Sequence, residues 1–289
     1  MNRVRPTAVA GVFYPADATT LLAEVRRLLE EVPPAPAPCP PVAVIVPHAG
    51  FRYSGPVAAC AYARLAPLRA RVRTVVLVGP AHYGATTPIA LSSASAFDTP
   101  LGPVPVDRAA VERVLALPGT RVDDRAHEPE HCLEVQLPFL LATLGDIAIV
   151  PVLAEPGAQD VVAALLETLW NGPDVLPVVS SDLSHYLSYE AARTWDRATA
   201  DAIEALDGDA IPERAACGCA GVRALLGVAR SRRLRARTVD LRSSGDTAGD
   251  RQRVVGYGAF VVEAHVSRAR ARATRKRART RDEDEERSG

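Results

Sequence analysis

The sequence predicts an α/β protein in which helices cover both faces of a largely parallel or mixed central sheet, giving a three-layer sandwich. Its runs of Val, Ile and Leu are continuous rather than alternating, which is typical of strands buried on both faces. Segments with apolar residues at helical spacing lie between these runs, as in βαβ units. The 289 residues are 48% hydrophobic, which is enough for a large core.

The first half of the chain provides strands and helices in alternation. Apolar residues recur at helical spacing from Asp17 to Glu31, where Asp17 or Thr19 can cap the helix and Pro33 ends it. Apolar runs predict the strands 42–46, 74–79 and 89–91. Helices are predicted at 55–65, where small residues allow close packing on the sheet, and at 106–117 and 130–144, where apolar residues cluster.

The second half continues the same order. Strands are predicted at 147–152, 175–180, 237–241 and 254–262, and helices at 160–170, 189–206 and 221–230. The polar stretch 243–250 is predicted to be a loop. We expect residues 1–265 to form one domain, because no change of composition divides them.

Residues 266–289 have a different composition from the rest. They hold nine of the 34 basic and five of the 34 acidic side chains and few apolar ones, so we expect a disordered charged tail. The remainder has 25 basic against 29 acidic side chains and offers no electrostatic footprint for nucleic acid. A nucleic-acid partner is therefore disfavoured, and only the tail could bind one.

The composition also bears on the cellular location. There is no apolar stretch long enough to cross a membrane, and the N-terminal residues lack the hydrophobic core of a signal peptide. Five cysteines without a regular framework argue against structural disulfides. We expect a cytoplasmic protein with reduced thiols and no membrane partner.

Three of the predicted strands lead into histidines. His48 and His82 each follow an apolar run, and a third run leads to Asp182 and His185. Because parallel strands gather ligand groups at their carboxyl ends, we expect these side chains to share one site. Neutral imidazole is the commonest metal ligand and also a common acid or base, so the site is predicted to be a metal or acid–base centre.

Asp182 and His185 are three residues apart. If Ser180 or Ser181 caps a helical turn, both side chains face the same way, and a carboxylate that orients an imidazole is typical of a general base. The alternative is that Asp182 caps a helix and His185 packs beside Tyr186.

The segment from Glu130 to Glu134, Glu-His-Cys-Leu-Glu, does not have the order of a zinc-protease helix. It is interpreted as a helix start from which Glu130, His131 or Glu134 could hydrogen-bond to metal ligands. His127, in a polar loop, is expected to be solvated.

The pair Cys217-Gly-Cys219 is compatible with a buried thiol, a redox pair or a metal ligand. No second cysteine pair exists to complete a four-cysteine zinc site. The chain also lacks a phosphate-loop lysine motif and a G-x-S-x-G nucleophile elbow, which argues against nucleotide hydrolysis and serine-hydrolase chemistry.

Nine short motifs occur in order along the chain: Ala8-Val-Ala-Gly-Val-Phe-Tyr-Pro15, Pro47-His-Ala-Gly50, Tyr53-Ser-Gly55, Gly79-Pro-Ala-His82, Glu130-His-Cys-Leu-Glu134, Ser180-Ser-Asp-Leu-Ser-His-Tyr186, Cys217-Gly218, Ser244-Gly-Asp246 and Val254-Val-Gly-Tyr257. Together these motifs resemble the Memo family, whose bacterial and archaeal members are called AmmeMemoRadiSam system protein B. The resemblance spans residues 3–263.

The resemblance implies a fold similar to that of class III extradiol dioxygenases. It implies that His48, His82 and Cys217 are metal ligands, with Asp182 and His185 beside them in the pocket. We expect these two to be catalytic residues, with His185 as an acid or base. Asp182 could orient His185, bind substrate or act as the carboxylate. The implied metal is Fe(II). Copper and zinc are also compatible, because the third ligand is a soft thiol where extradiol enzymes have a carboxylate.

Two functions follow as hypotheses. The first is a non-haem-iron, dioxygenase-like oxidoreductase that acts on an unidentified small molecule or peptide. The second is a non-enzymatic metal- or peptide-binding assembly partner. In both, the family name implies a radical-SAM protein and an Amme-type protein as partners.

Overall fold

The computed structural model describes residues 3–34 and 39–264. Within them the strands are β1 (Val4–Arg5), β2 (Ala43–Val46), β3 (Thr74–Pro80), β4 (Ile89–Leu91), β5 (Ala96–Phe97), β6 (Val104–Pro105), β7 (Thr120–Val122), β8 (Ala148–Ala154), β9 (Val175–Ser180), β10 (His185–Leu187), β11 (Leu234–Ser243) and β12 (Val254–Ala264). The α-helices are α1 (Ala18–Glu30), α2 (Phe51–Tyr62), α3 (Arg108–Leu115), α4 (Asp124–His127), α5 (Leu137–Leu144), α6 (Gln159–Leu169), α7 (Tyr189–Glu204), α8 (Cys219–Ser231) and α9 (Ser244–Thr247).

The large sheet is mixed, with a parallel centre. Its strand order is β10-β12-β2-β9-β3-β8-β4-β7, and β11 pairs with β12. The neighbours β2, β9, β3 and β8 are parallel, whereas β12 runs antiparallel to β2 and β4 runs antiparallel to β8. A small second sheet has the order β1-β5-β6. The parallel centre gathers the carboxyl ends of β2, β9 and β3 at one edge.

Helices cover both faces of this sheet, as the sequence predicts. Helices α1, α2 and α5 pack together, and α6 packs against α8. Successive residues of β3 separate the two faces: Val78 contacts Gly221 of α8, whereas Gly79 lies against Cys132 and Leu133, on the α5 side. The protein is therefore a three-layer α/β sandwich.

The absence of a side chain at Gly221 allows α8 to lie close to the sheet. A Cβ atom there would lie 3.1 Å from Val179 and 3.2 Å from Val78. Only a residue without a side chain leaves these branched strand residues undisturbed. This close packing fixes the start of α8, which follows Cys217, relative to the end of β9.

Several predicted boundaries are wrong. The helix predicted at 130–144 begins with a single 3₁₀ turn at Glu134–Gln136 and becomes α-helical only at Leu137. The predicted loop 243–250 contains α9, stabilised by a capping box between Ser243 and Asp246. The two-residue strands β1, β5 and β6 were not predicted, because a pattern of apolar residues cannot be recognised over so short a segment.

Two other expectations concern the ends of the chain and the membrane. The predicted tail, residues 266–289, lies outside the described residues. Among residues 3–34 and 39–264, no helix is both long and apolar enough to cross a membrane.

Candidate metal centre

The expected gathering of side chains occurs at the carboxyl edge of the parallel strands. His48 lies two residues beyond β2, His82 lies two residues beyond β3, and β9 ends at Ser180. The ring centroids of His48 and His82 are 5.2 Å apart. The sheet register therefore brings together two histidines that are 34 positions apart in the sequence.

A third imidazole completes this group. His131 stacks on His82 with 4.8 Å between the ring centroids, and one ring nitrogen each from His48, His82 and His131 lies within 4.8 Å of the others. His131 comes from the irregular turn before α5. The sequence predicts His131 only as a partner of metal ligands, because its segment has the pattern of a regular helix start.

The protonation of His48 follows from its hydrogen bonds. Ser180 Oγ donates to the carbonyl of Cys132 (2.7 Å) and accepts from Gln136 Nε2 (2.8 Å). Its remaining acceptor position faces His48 Nδ1 at 2.9 Å, so Nδ1 carries the hydrogen. Nε2 of His48 is left with a free lone pair. Burial and the neighbouring histidines hold the pKa of His48 well below its ordinary value, which favours this neutral form.

Glu130 orients the second imidazole. Its carboxylate accepts from His82 Nδ1 at 2.9 Å and also from the backbone N–H groups of His82, His131 and Cys132. Burial alone would raise the pKa of Glu130, but the bonds from His82 and the backbone outweigh it and lower the pKa to about 2. The carboxylate is ionised and can only accept, so His82 holds a hydrogen on Nδ1 and Nε2 is the nitrogen that Glu130 does not engage. The expected contact between Glu130 and a candidate ligand is present.

Cys217 lies beside this cluster. Its Sγ is 3.3 Å from His48 Nε2 and accepts a hydrogen bond from the backbone N–H of Asp182 at 3.3 Å. Burial raises the pKa of the Cys217 thiol well above its ordinary value, and the nearby Asp182 adds to this effect. The sulfur is therefore a thiol unless a cation offsets its charge.

Asp182 and His185 do not form the expected pair. Residues 181–184 are not helical, so the predicted capped turn is wrong. Asp182 Oδ1 accepts instead from the backbone N–H of His48 at 2.7 Å, and His185 Nδ1 donates to the carbonyl of Leu183 at 2.8 Å. Asp182 therefore fixes the His48 loop, while a backbone carbonyl sets the His185 ring and leaves its Nε2 free.

The prediction for His127 is also wrong. Its side chain is buried rather than solvated, and Nε2 donates to the carbonyl of Ala90 at 3.1 Å. Burial lowers the pKa of His127 to about 4. The residue is not part of the cluster, and its ring packs edge-on against Phe97.

A cavity of about 150 Å³ adjoins the cluster. Cys217 and His185 both contribute to its wall, and the remaining wall residues come mainly from the ends of β3 and β8, the segment 213–218 and the start of α8. His185, whose Nε2 is free, is one of the residues that line this cavity. A molecule in the cavity would therefore lie next to an imidazole able to accept a proton.

Known proteins match this chain along almost its whole length. The family model described as "Memo-like protein" matches residues 5–261. A MEMO1 family protein of Thermotoga maritima is 34% identical over 273 residues, which cover 88% of this chain and 97% of the relative. MEMO1 family proteins of Aquifex aeolicus and Archaeoglobus fulgidus are 38% and 37% identical, over 88% and 89% of this chain and 97% and 99% of their own lengths.

The match to the family model and the matches to the relatives indicate the same family. The matched region contains all the residues of the histidine cluster as well as Cys217, and the identities exceed 30% over nearly complete chains. The chain therefore belongs to the Memo family.

Proposed function

We propose that this protein binds one transition-metal ion at the histidine cluster and acts as a metal-dependent oxidoreductase. The observation that carries the proposal is the arrangement of ring nitrogens: His48 and His82 have Nδ1 engaged by Ser180 and Glu130, so that Nε2 is free. A histidine that binds a metal through one ring nitrogen typically donates a hydrogen bond from the other nitrogen. This bond fixes the tautomer and the orientation of the ring.

The donor set fits a metal. Three ring nitrogens within 4.8 Å of one another need only small side-chain rotations to reach one ion at bonds of about 2.1 Å. We assign His48, His82 and Cys217 as ligands, as the family resemblance implies, and His131 as an additional nitrogen donor at the same ion. Fe(II) is the metal we propose, with copper and zinc as the alternatives that the sulfur donor favours.

The residues around the proposed metal have different roles. The metal, when bound, would supply redox chemistry and polarise a substrate oxygen. His185, with its Nε2 free and its side chain in the cavity wall, accepts a proton from the substrate. Asp182 holds the backbone of His48 in place and thereby positions a ligand.

Metal stoichiometry tests this function. Protein is purified anaerobically, loaded with Fe(II), Cu(I) or Zn(II), and compared with the single alanine variants of His48, His82, His131 and Cys217. We expect about one metal per chain in the wild type and loss of binding in the His48 and His82 variants. His185→Gln should retain the metal and lose turnover. Metal binding that is indifferent to both His48 and His82 would overturn the proposal.

A binding function is the second candidate, and exposed aromatic residues favour it. Tyr83 is 62% exposed beside His82, and Tyr186 is 63% exposed beside His185. Exposed tyrosines around a site are typical of surfaces that bind another protein. The proposed partners are a radical-SAM protein and an Amme-type protein. Co-purification that survives His185→Ala without any turnover would support this function, and loss of association in a reconstituted mixture would contradict it.

A further inference from the structure

The cavity beside Cys217 contains a positive group that the metal centre does not use. Arg214, from the short 3₁₀ turn at Glu213–Ala215, is part of its wall together with Glu213. The guanidinium lies over the ring of Trp195, with 4.8 Å from its carbon to the ring centroid. This stacking holds the side chain in place without neutralising its charge.

Arg214 has its hydrogen-bonding capacity available. Across residues 3–34 and 39–264, no carboxylate forms an ion pair with it. A planar guanidinium suits a carboxylate, to which it can donate two parallel hydrogen bonds. An arginine in the wall of a cavity and free of a carboxylate partner is therefore suited to an anionic ligand.

Apart from Arg214 and Glu213, the described residues of the wall include no side chain that is ionised like a carboxylate or a guanidinium. Most of the other wall residues are small, namely Gly79, Pro80, Ala154, Pro156, Ala216, Gly218, Ala220 and Gly221. Within the described chain, Cys219 N–H bonds to Ala216 and Val222 N–H bonds to Gly218, but the N–H groups of Ala220 and Gly221 have no acceptor. Both residues belong to the wall of the same cavity.

We propose that Arg214 binds a carboxylate group of the substrate, so that the substrate is a small carboxylic acid. The cavity volume of about 150 Å³ equals that of about five water molecules and admits a group of that size. Glu213 in the same wall disfavours a dianion such as phosphate and leaves a monoanion as the matching ligand. His185 and Cys217 belong to the wall of the same cavity as Arg214.

This substrate class rests on the proposed function, because the cavity is a substrate pocket only if the adjoining cluster holds the metal. The binding test is therefore separate from activity. Benzoate, benzamide and benzylamine have similar shapes and differ in charge. Their dissociation constants are measured by NMR titration at fixed ionic strength, for the metal-free and the Fe(II)-loaded protein.

We expect the wild type to bind benzoate about tenfold more tightly than benzamide, the size of effect typical of a hydrogen bond to a charged group. Arg214→Gln should abolish this preference. Arg232→Gln is the matched control and should preserve it, because this arginine stacks on Trp170 and is not part of the cavity wall. Arg214 is exposed, and thermal unfolding of each variant checks that the fold is intact.

Two results would overturn the carboxylate site: a wild type that does not prefer benzoate to benzamide, or a preference that survives Arg214→Gln. Tighter binding of benzylamine, lost in Glu213→Gln, would show that the cavity takes a cation instead. If the proposed metal centre is wrong, the protein will not bind about one metal per chain. The preference of the metal-free protein for benzoate over benzamide will then be unchanged.

Discussion

Cys217 Sγ lies 3.3 Å from His48 Nε2, the nitrogen that is left free when Ser180 binds Nδ1. The thiol can donate its hydrogen to this lone pair. A metal ion bound at Nε2 of His48 would displace that hydrogen and would offset the charge of the resulting thiolate. Uptake of metal at this site should release protons.

The first prediction concerns the metal preference set by Cys217. Cys217→Ala should weaken Zn(II) and Cu(I) binding by at least about 100-fold, beyond the range typical of residues that only support a ligand, and should weaken Fe(II) binding less. Competition titrations with chelators measure the three affinities. Cys219→Ala is the control, because that buried thiol faces the carbonyls of Ile211 and Pro212. Unchanged Zn(II) affinity in Cys217→Ala would refute a sulfur ligand.

The second prediction concerns Glu130. Glu130→Gln keeps the size of the side chain but replaces an acceptor oxygen with an amide donor, so one of the bonds to His82 is lost. We expect metal affinity to fall by about 10- to 100-fold, as is typical for loss of a partner that orients a ligand. Glu128→Gln, on an exposed residue of the same segment, should leave the affinity unchanged. Equal affinities for the two variants would show that Glu130 does not orient a ligand.

The third prediction concerns the buried ion pair between Arg5 and Glu134. Glu134 also accepts hydrogen bonds from Tyr14 Oη and from the backbone of Ala8 and Val9, and it is fully buried. Glu134→Gln leaves a buried guanidinium without its counter-charge and should lower the free energy of unfolding by about 3–5 kcal/mol. Urea denaturation measures this loss.

An exposed pair provides the control for that experiment. Arg27 of α1 and Glu31, the residue that follows this helix, form an i,i+4 pair with more than half of each side chain exposed. Glu31→Gln should change the free energy of unfolding by less than about 1 kcal/mol. Similar losses in the two glutamine variants would mean that burial does not strengthen the Arg5–Glu134 pair.

The fourth prediction is a pH dependence of stability that arises from Asp196. Burial raises the pKa of this carboxyl from 3.8 to about 6, although the backbone N–H of Ser184 donates to it. Because the folded state binds this proton more tightly than the unfolded state, the carboxyl's contribution to stability is complete below pH ~4. It is lost as the pH rises through about 6.

Asp196→Asn measures that contribution. Two pH units of pKa difference correspond to about 3 kcal/mol, so the variant should gain roughly that much stability relative to the wild type between pH 4 and pH 7. Urea unfolding at several pH values gives the comparison. A difference between the two proteins that stays constant over this range would contradict the raised pKa.

The sequence was sufficient for the architecture because the strands of the parallel centre are continuous apolar runs. Strands β2, β3 and β9 were predicted to within one residue of their observed ends, and their order along the chain implied the edge at which His48 and His82 meet. Continuous apolar runs of this kind can be recognised in the sequence without knowledge of the tertiary structure. The three-layer sandwich is accordingly confirmed.

The site was less predictable where backbone irregularity decides it. His131 points toward His48 because the turn before α5 is held by the Glu130 carboxylate, a contact that no sequence period encodes. Likewise, Asp182 and His185 are three positions apart but lie on extended backbone, which directs them to different partners. Spacing alone assumes regular structure, and both errors arise where the structure is irregular.

The contact between His48 and Cys217 joins residues 169 positions apart. Neither residue has its partner until β2, β9 and the start of α8 are in place, so no short fragment of the chain can assemble the site. Small zinc modules depend on the ion to fold, whereas here the ion would enter a finished framework. Metal delivery to this protein should accordingly be a late, post-folding event, controlled by when the completed chain encounters the ion.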